Sequence, residues 1–267
     1  MKHIRVVING ALGKMGREVI KAVLDKPELG LDIVGAVEEK VAQQYLPLLK
    51  TSELIPFSSD LHSLLTSCHP DVVVDFTNAT ASMAAVRIAA KLKINMVVGT
   101  TGLSEENLRE IEQLCQANNI GIIVAPNFSL GTVLLMHLAK IAAKFFDRAE
   151  IIEMHHAKKI DAPSGTAIAT AKTMLQGHGK PFTYPKTEKE IISNTRGGEI
   201  EGIAIHSLRL PGFMAGQKVI FSGPGETLSL HAEAISRESY MTGVILAIKK
   251  ITKLKGLIYG LDTLLKL

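Results

Sequence analysis

Between residues 153 and 167 the chain reads EMHHAKKIDAPSGTA, which gathers two histidines, two lysines, an aspartate and a Ser-Gly-Thr run. Three readings fit such residues: a metal centre, proton transfer beside an anion cradle, or a solvated turn with no chemistry. The spacing weighs against a metal. His155 and His156 are consecutive, so on a strand they point to opposite sides, and neither HxxxH nor HxH spacing is present. An imidazole titrating near neutrality suits the giving and taking of protons. Lys159, four residues on, is a cation able to protonate or hold an anionic or carbonyl-like group. Pro163-Ser164-Gly165-Thr166 then opens a helical run, AIATAKTML, whose first-turn N–H groups make a carboxylate cradle. A capped helix with solvated charges accounts for any one of these residues taken singly. Acid, cation and cradle together favour a substrate site.

A second set of residues lies at the start of the chain. IRVVI (4–8) reads as a buried strand, and it runs into 9-NGALGKMG-16 with glycines at 10, 13 and 16. A strand ending in such a turn and opening a helix brings backbone N–H groups close to a pyrophosphate. The spacing is GxxGxxG rather than GxGxxG, because Leu12 holds the middle position, so packing glycines remain the alternative. The next strand ends in 36-AVEEK-40, with Glu38 some 20 residues past the glycines, where an acid that binds ribose hydroxyls belongs; a solvated loop carboxylate is the alternative. The segments 99-GTTG-102 and 125-APNFS-129 fall where open α/β sheets bind ligands, beyond the carboxyl ends of strands, or are simple turns.

These sites need a scaffold. Apolar runs at 4–8, 32–37, 71–77, 94–101 and 121–127 alternate with helical patterns at 13–24, 81–93 and 104–118, the last capped by Ser104. Apolar strands separated by helices predict a parallel sheet covered on both faces. Beyond it a helix is expected at 130–146, a strand at 150–156, a helix after Pro163 and a polar loop segment at 178–199. GIAIHSLRL, QKVIFSG and ETLSLHAEAI read as strands of an open mixed or antiparallel sheet. A last helix, 236–254, is of the type that returns to cover the first sheet.

Composition narrows the classes. With 267 residues and 46% hydrophobic content the chain is long enough for two domains with buried cores. No apolar run approaches the roughly 18 residues of a membrane span, and the first residues lack the apolar core of a signal peptide. Cys68 and Cys115 form no CxxC and imply no disulfide framework. A net charge of +4, scattered basic residues and no tryptophan suit a small anionic ligand better than a nucleic acid. The expectation is a soluble cytoplasmic protein.

The residues between 153 and 167 closely resemble the signature E-x-H-H-x-x-K-x-D-A-P-S-G-T-A of the 4-hydroxy-tetrahydrodipicolinate (dihydrodipicolinate) reductase family. GALGKMG, VVDFT, VVGTTG, APNFSLG, RGGEIEG and HAEAISR extend the resemblance over nearly the whole chain. It implies an α/β fold with a Rossmann-type dinucleotide-binding domain (1–127 and 238–267). An inserted α+β substrate and tetramerisation domain (128–237), with an open mixed sheet, would assemble a homotetramer. It implies NADH and/or NADPH as cofactor, a small dicarboxylate substrate, and no metal, nucleic acid or membrane. By position, His155 is the proton donor and acceptor, Lys159 a second proton donor, His156 a substrate contact, and Gly165 and Thr166 the carboxylate cradle. Cofactor contacts fall on Gly10, Ala11, Leu12, Gly13, Lys14 and Met15, on Glu38, on Gly99, Thr100 and Thr101, and on Ala125, Pro126, Asn127 and Phe128. Members of the family that use NADPH readily often carry arginine after the ribose acid, where this chain has Glu39, so NADH is expected to be modestly favoured. The rivals are another two-domain amino-acid-pathway dehydrogenase and a non-catalytic nucleotide sensor, and the latter has no use for the His-His-Lys-Ser-Gly-Thr set.

Overall fold

A computed structural model describes residues 3–48 and 53–267; Met1, Lys2 and residues 49–52 of the expected nucleotide domain lie outside the described residues. The chain opens with β1 (Ile4–Asn9), α1 (Lys14–Leu24), β2 (Leu31–Val37), β3 (Tyr45–Pro47), β4 (Leu54–Ser58), α2 (Leu61–Cys68) and β5 (Val72–Asp75). It continues with α3 (Ala79–Lys91), β6 (Asn95–Val98), α4 (Glu105–Asn118) and β7 (Gly121–Val124). Next come α5 (Leu130–Ala142), β8 (Arg148–His155), α6 (Gly165–His178), β9 (Gly198–Ile200), β10 (Ile203–Arg209), β11 (Ala215–Gly223) and β12 (Glu226–Ala234). The chain finishes with α7 (Met241–Ile251), β13 (Gly256–Tyr259) and α8 (Leu261–Leu265).

Two compact units result: Met1–Phe128 with Tyr240–Leu267, and Ser129–Ser239 between them. The division lies within two residues of the expected limits. It gives Phe128 to the first unit rather than to the inserted one, and residues 238 and 239 to the inserted one.

The first unit is built on an eight-stranded sheet of order β13-β7-β6-β5-β1-β2-β4-β3. Pairing is parallel throughout except between β3 and β4. From β1 the chain goes first to β2 on one side and later to β5 on the other. The carboxyl ends of β1 and β5 therefore flank the point where the strand order reverses, where such sheets bind their ligands. Val6, Val7 and Ile8 in β1 and Val72, Val73 and Val74 in β5 are all fully buried, because helices cover both faces. One face packs on α2, α3 and α4, and the other on α1 and α7. Buried Val244, Ala247, Ile248 and Ile251 of α7 fill the latter face. The returning helix thus matches expectation, but β13, which extends the sheet beside β7, does not appear in the sequence reading.

The second unit is a five-stranded mixed sheet of order β12-β11-β8-β10-β9. Helices α5 and α6 pack on one face, over Ile151, Ile203, Ile205, Val219 and Phe221. On the opposite face Ile152, Met154, Leu208 and Ile220 are half-buried, and among the described residues no helix lies over them. α5 stops at Ala142 rather than continuing to 146, and β8 stops at His155. His156 is therefore off the strand, in the turn that follows, and the two histidines are separated by the end of β8 and not by its pleat.

Candidate active site

In the second unit β8 delivers its last two inward side chains, Glu153 and His155, to the end of the sheet beside the start of α6. Glu153 is fully buried, and His155 is 15% exposed. His155 Nδ1 lies 2.5 Å from Glu153 Oε2. The parallel register of β10 on β8 sets Arg209 opposite His155. From there the guanidinium donates to Glu153 Oε1 at 2.7 Å and to Oε2 at 3.0 Å. A third donor, the Ser164 N–H, reaches Oε1 at 3.3 Å.

Burial by itself pushes the Glu153 carboxyl up, but hydrogen bonds from Arg209, Ser207 and His155 outweigh it and hold the group below its ordinary value. Glu153 is thus an anion that can only accept, so the proton on this edge of His155 belongs to Nδ1. Nε2 is left to face a ligand. Burial pushes the His155 imidazolium down, against the carboxylate of Glu153 and with the help of Lys159 and Arg209. The resting ring is neutral at pH 7, with its lone pair on Nε2.

Lys159 follows one turn after β8. Its Nζ donates to Asp161 Oδ1 at 2.7 Å, and that bond holds Asp161 below its ordinary value. Arg209 also donates to the Asp161 carbonyl at 2.7 Å, so the lysine loop and the histidine are tied to one guanidinium. After a cis Ala162–Pro163 peptide, Ser164 caps α6 and accepts from the Ala167 N–H at 3.2 Å. The N–H groups of Gly165 and Thr166 in the first turn are the ones helix geometry leaves for a ligand. Exposed Gly165 has open space where a Cβ would be, so an oxygen can come close to the backbone. His156 is exposed directly after β8. Glu153 and Arg209 are the two groups the sequence reading missed. Glu153 opened the stretch in plain view, whereas Arg209 lies 56 residues away and needs the strand register to be found.

In the first unit Gly10 turns with φ +80, and a Cβ there would lie 2.8 Å from the Phe76 carbonyl. A Cβ on Gly16 would meet the Gly10 carbonyl at 2.2 Å, which locks α1 against the turn. Asp60, Asn78 and Ser104 cap their helices with side chains. α1 has Gly13 as its cap and no side-chain hydrogen bond, so its first N–H groups at Lys14 and Met15 suit a phosphate. Ala11 is buried under the turn while Leu12, Gly13 and Lys14 are exposed on it. Glu38, the first residue past β2, has one carboxylate oxygen on the Leu12 N–H at 2.9 Å and the other on the Glu39 N–H at 3.2 Å. Glycine turn, uncapped helix and acid therefore lie together, and they fit a dinucleotide.

The other two cofactor segments sit beyond β6 and β7. Thr100 is buried and gives its hydroxyl to Asp75 Oδ2 at 2.8 Å, so its side chain is structural, while Thr101 is exposed. Fully buried Asp75 also accepts from Asn9 at 2.6 Å and from the Thr77 hydroxyl at 2.9 Å. It staples together the ends of β1, β5 and β6. Gly99 packs under the Phe76 ring, which meets Phe128 edge-on at 6.0 Å. Ala125 and Phe128 are buried, Pro126 is exposed and Asn127 lies between these extremes.

The family description "Dihydrodipicolinate reductase, N-terminus" matches residues 4–128, and "Dihydrodipicolinate reductase, C-terminus" matches residues 131–265. A 4-hydroxy-tetrahydrodipicolinate reductase of Dehalococcoides mccartyi is 53% identical over the full length of both chains. That of Moorella thermoacetica is 46% identical over 98% of each. Among solved structures, a dipicolinate-bound dihydrodipicolinate reductase from Paenisporosarcina sp. TG-14 superposes with a TM-score of 0.87 at 36% identity, covering 97% of this chain and 98% of that one.

Proposed function

The chain belongs to the dihydrodipicolinate reductase family, and from that premise we propose how its residues divide the work. The reaction is the NAD(P)H-dependent reduction of 4-hydroxy-tetrahydrodipicolinate to tetrahydrodipicolinate with loss of water, a step of lysine and diaminopimelate biosynthesis. When bound, the nicotinamide supplies the hydride.

The chain's own residues handle protons and carboxylates. Lys159 gives a proton to the departing hydroxyl, which leaves as water. Neutral His155 takes the carbon-bound proton lost in that elimination on Nε2, and returns it to the enamine-like carbanion after reduction. One proton is consumed overall, the one from Lys159. The Gly165 and Thr166 N–H groups, with His156, hold a substrate carboxylate. Gly10 to Met15 cradle the pyrophosphate, Glu38 takes the adenosine ribose hydroxyls, and the 99–101 and 125–128 segments flank the nicotinamide ribose. The observation that carries these roles is the pairing of His155 Nδ1 with Glu153, which leaves Nε2 for the substrate. Oxidation of NADH that depends on the product of dihydrodipicolinate synthase tests the reading; no oxidation with that product overturns it.

NADH is the favoured cofactor in this reading. Glu39 is exposed next to Glu38, where a 2′-phosphate would lie, and like charges about 4 Å apart cost roughly 1–4 kcal/mol between bulk water and a protein surface. Lys14 and Lys40, also exposed, offset part of this. A net preference of about tenfold, or about 1.4 kcal/mol, follows. Glu39→Arg should raise kcat/KM for NADPH much more than for NADH. Wild-type enzyme that clearly prefers NADPH would instead make Lys14 or Lys40 the partner of the phosphate.

We place self-association on the face of the second sheet that no helix covers among the described residues, where Ile152, Met154, Leu208 and Ile220 lie among Glu150, His206 and Lys218. Light scattering should give about four times the 28.8 kDa chain mass, and a monomer at micromolar concentration would exclude it. Among the described residues no helix is long and apolar enough to cross a membrane. A cytoplasmic setting suits an enzyme of free metabolites, and cell fractionation should recover the activity there.

A further inference from the structure

Glu153 and Arg209 have no part in the proton and carboxylate roles given above, yet they hold the two groups of the second unit that handle protons. Glu153 is a fully buried carboxylate on whose two oxygens both arms of Arg209, the Ser164 N–H, His155 Nδ1–H and Ser207 converge. Arg209 adds a bond to the Asp161 carbonyl, in the residue whose side chain holds Lys159. The planar guanidinium takes the carboxylate with two parallel bonds and still reaches a carbonyl, a fixed geometry that the point charge of lysine does not reproduce.

We propose that Glu153 and Arg209 are positioning residues that fix the Nδ1–H tautomer of His155 and keep Lys159 in register with it, so that one ion pair sets which group accepts a proton and which group donates it. This rests on the roles given above to His155 and Lys159. The charged groups facing His155 are Glu153 on its own strand, Arg209 from β10, and Lys159 from the following turn, with Asp161 paired to Lys159. They act in opposed directions. Glu153 favours the imidazolium, whereas Arg209 and Lys159 disfavour it.

Removing either member of the pair should therefore move the histidine in opposite directions, which a merely structural role would not do. Glu153→Gln strips the one nearby anion and leaves an amide NH2 facing donors. The imidazolium should then be lost at lower pH than in wild type, the Nδ1–H tautomer should no longer dominate, and kcat should fall about tenfold or more, as for other residues that orient a reacting imidazole. Arg209→Met removes the guanidinium from Glu153 but leaves His155, Ser207 and the Ser164 N–H on it, and the Glu153–His155 pair should hold its shared proton to higher pH. Titration of 15N-labelled histidine by NMR reads both variants without any turnover assay. Opposite shifts support the proposal, and an unchanged midpoint in both folded variants overturns it. If either variant fails to fold, the wild-type spectrum decides: an Nε2–H tautomer for neutral His155 refutes it. A correct tautomer in a protein that does not reduce the synthase product would overturn the functional reading and leave the clamp standing.

Discussion

Replacing His155 with Gln is expected to lower kcat by about 10²-fold or more while the Kd for NADH stays near its wild-type value. A positioned acid–base group supplies roughly 10²–10⁴ in rate. Gln preserves a polar side chain of similar reach but exchanges no proton. NADH binding is spared because its expected contacts belong to the other unit. Turnover close to wild type would remove His155 from the mechanism.

The pH dependence is a companion test. His155 must be neutral to act as the base, and burial holds its imidazolium below the ordinary histidine value. The acidic limb of kcat/KM should therefore fall below about pH 6.5, the unperturbed value. Activity is retained in mildly acidic solution and lost only as the pH drops through the lowered pKa. His155→Gln should abolish that limb.

Lys159→Ala is expected to reduce kcat by about 10²-fold and to raise KM as well. The first loss is that of the donor to the departing hydroxyl. The second has its origin in Asp161, whose carboxylate is 2.7 Å from the lysine and would face an anionic substrate without its cation. Stability should hardly change. The Asp161 side chain is 58% exposed, and ion pairs of that kind contribute roughly 0–1 kcal/mol. A lowered melting temperature with unaltered kinetics would make the lysine structural.

The parts of the fold that sequence made legible are those whose signal is local. β5 and β7 are buried on both faces, as is β1 from Val6 onward, so Val6–Ile8, Val72–Val74 and Ile122–Val124 read as apolar runs. β3 and β4 are short, each contains a proline, and β3 is the sheet edge, so they carry no such run. β13 has four residues directly behind a helix, too few to set a period. The site divides in the same manner. His155, Lys159 and the Ser164 cap are neighbours in sequence, whereas Arg209 joins them only through the β8–β10 register. Asp75 was visible in VVDFT, but its partners Asn9 and Thr100 lie 66 and 25 residues away. Thr100 shows the converse. A position read as a cofactor contact has its hydroxyl committed to holding strand ends together.

The interrupted connectivity of the first unit bears on how the chain can fold as it leaves the ribosome. Val72, Val74, Val97 and Ile123, fully buried in the finished protein, alternate with the residues packed on α2 to α4 and so face the side that α1 and α7 cover. α7 is translated only after the whole Ser129–Ser239 insertion. At roughly 5–20 residues per second, the part of that face over β5, β6 and β7, which α7 covers, waits bare on the order of 10 s. The inserted unit suffers no such delay, since all its strands and both its helices lie in one continuous stretch. The nascent chain should thus complete its second unit before its first. The interval between them is when a chaperone that binds apolar strands would find its target.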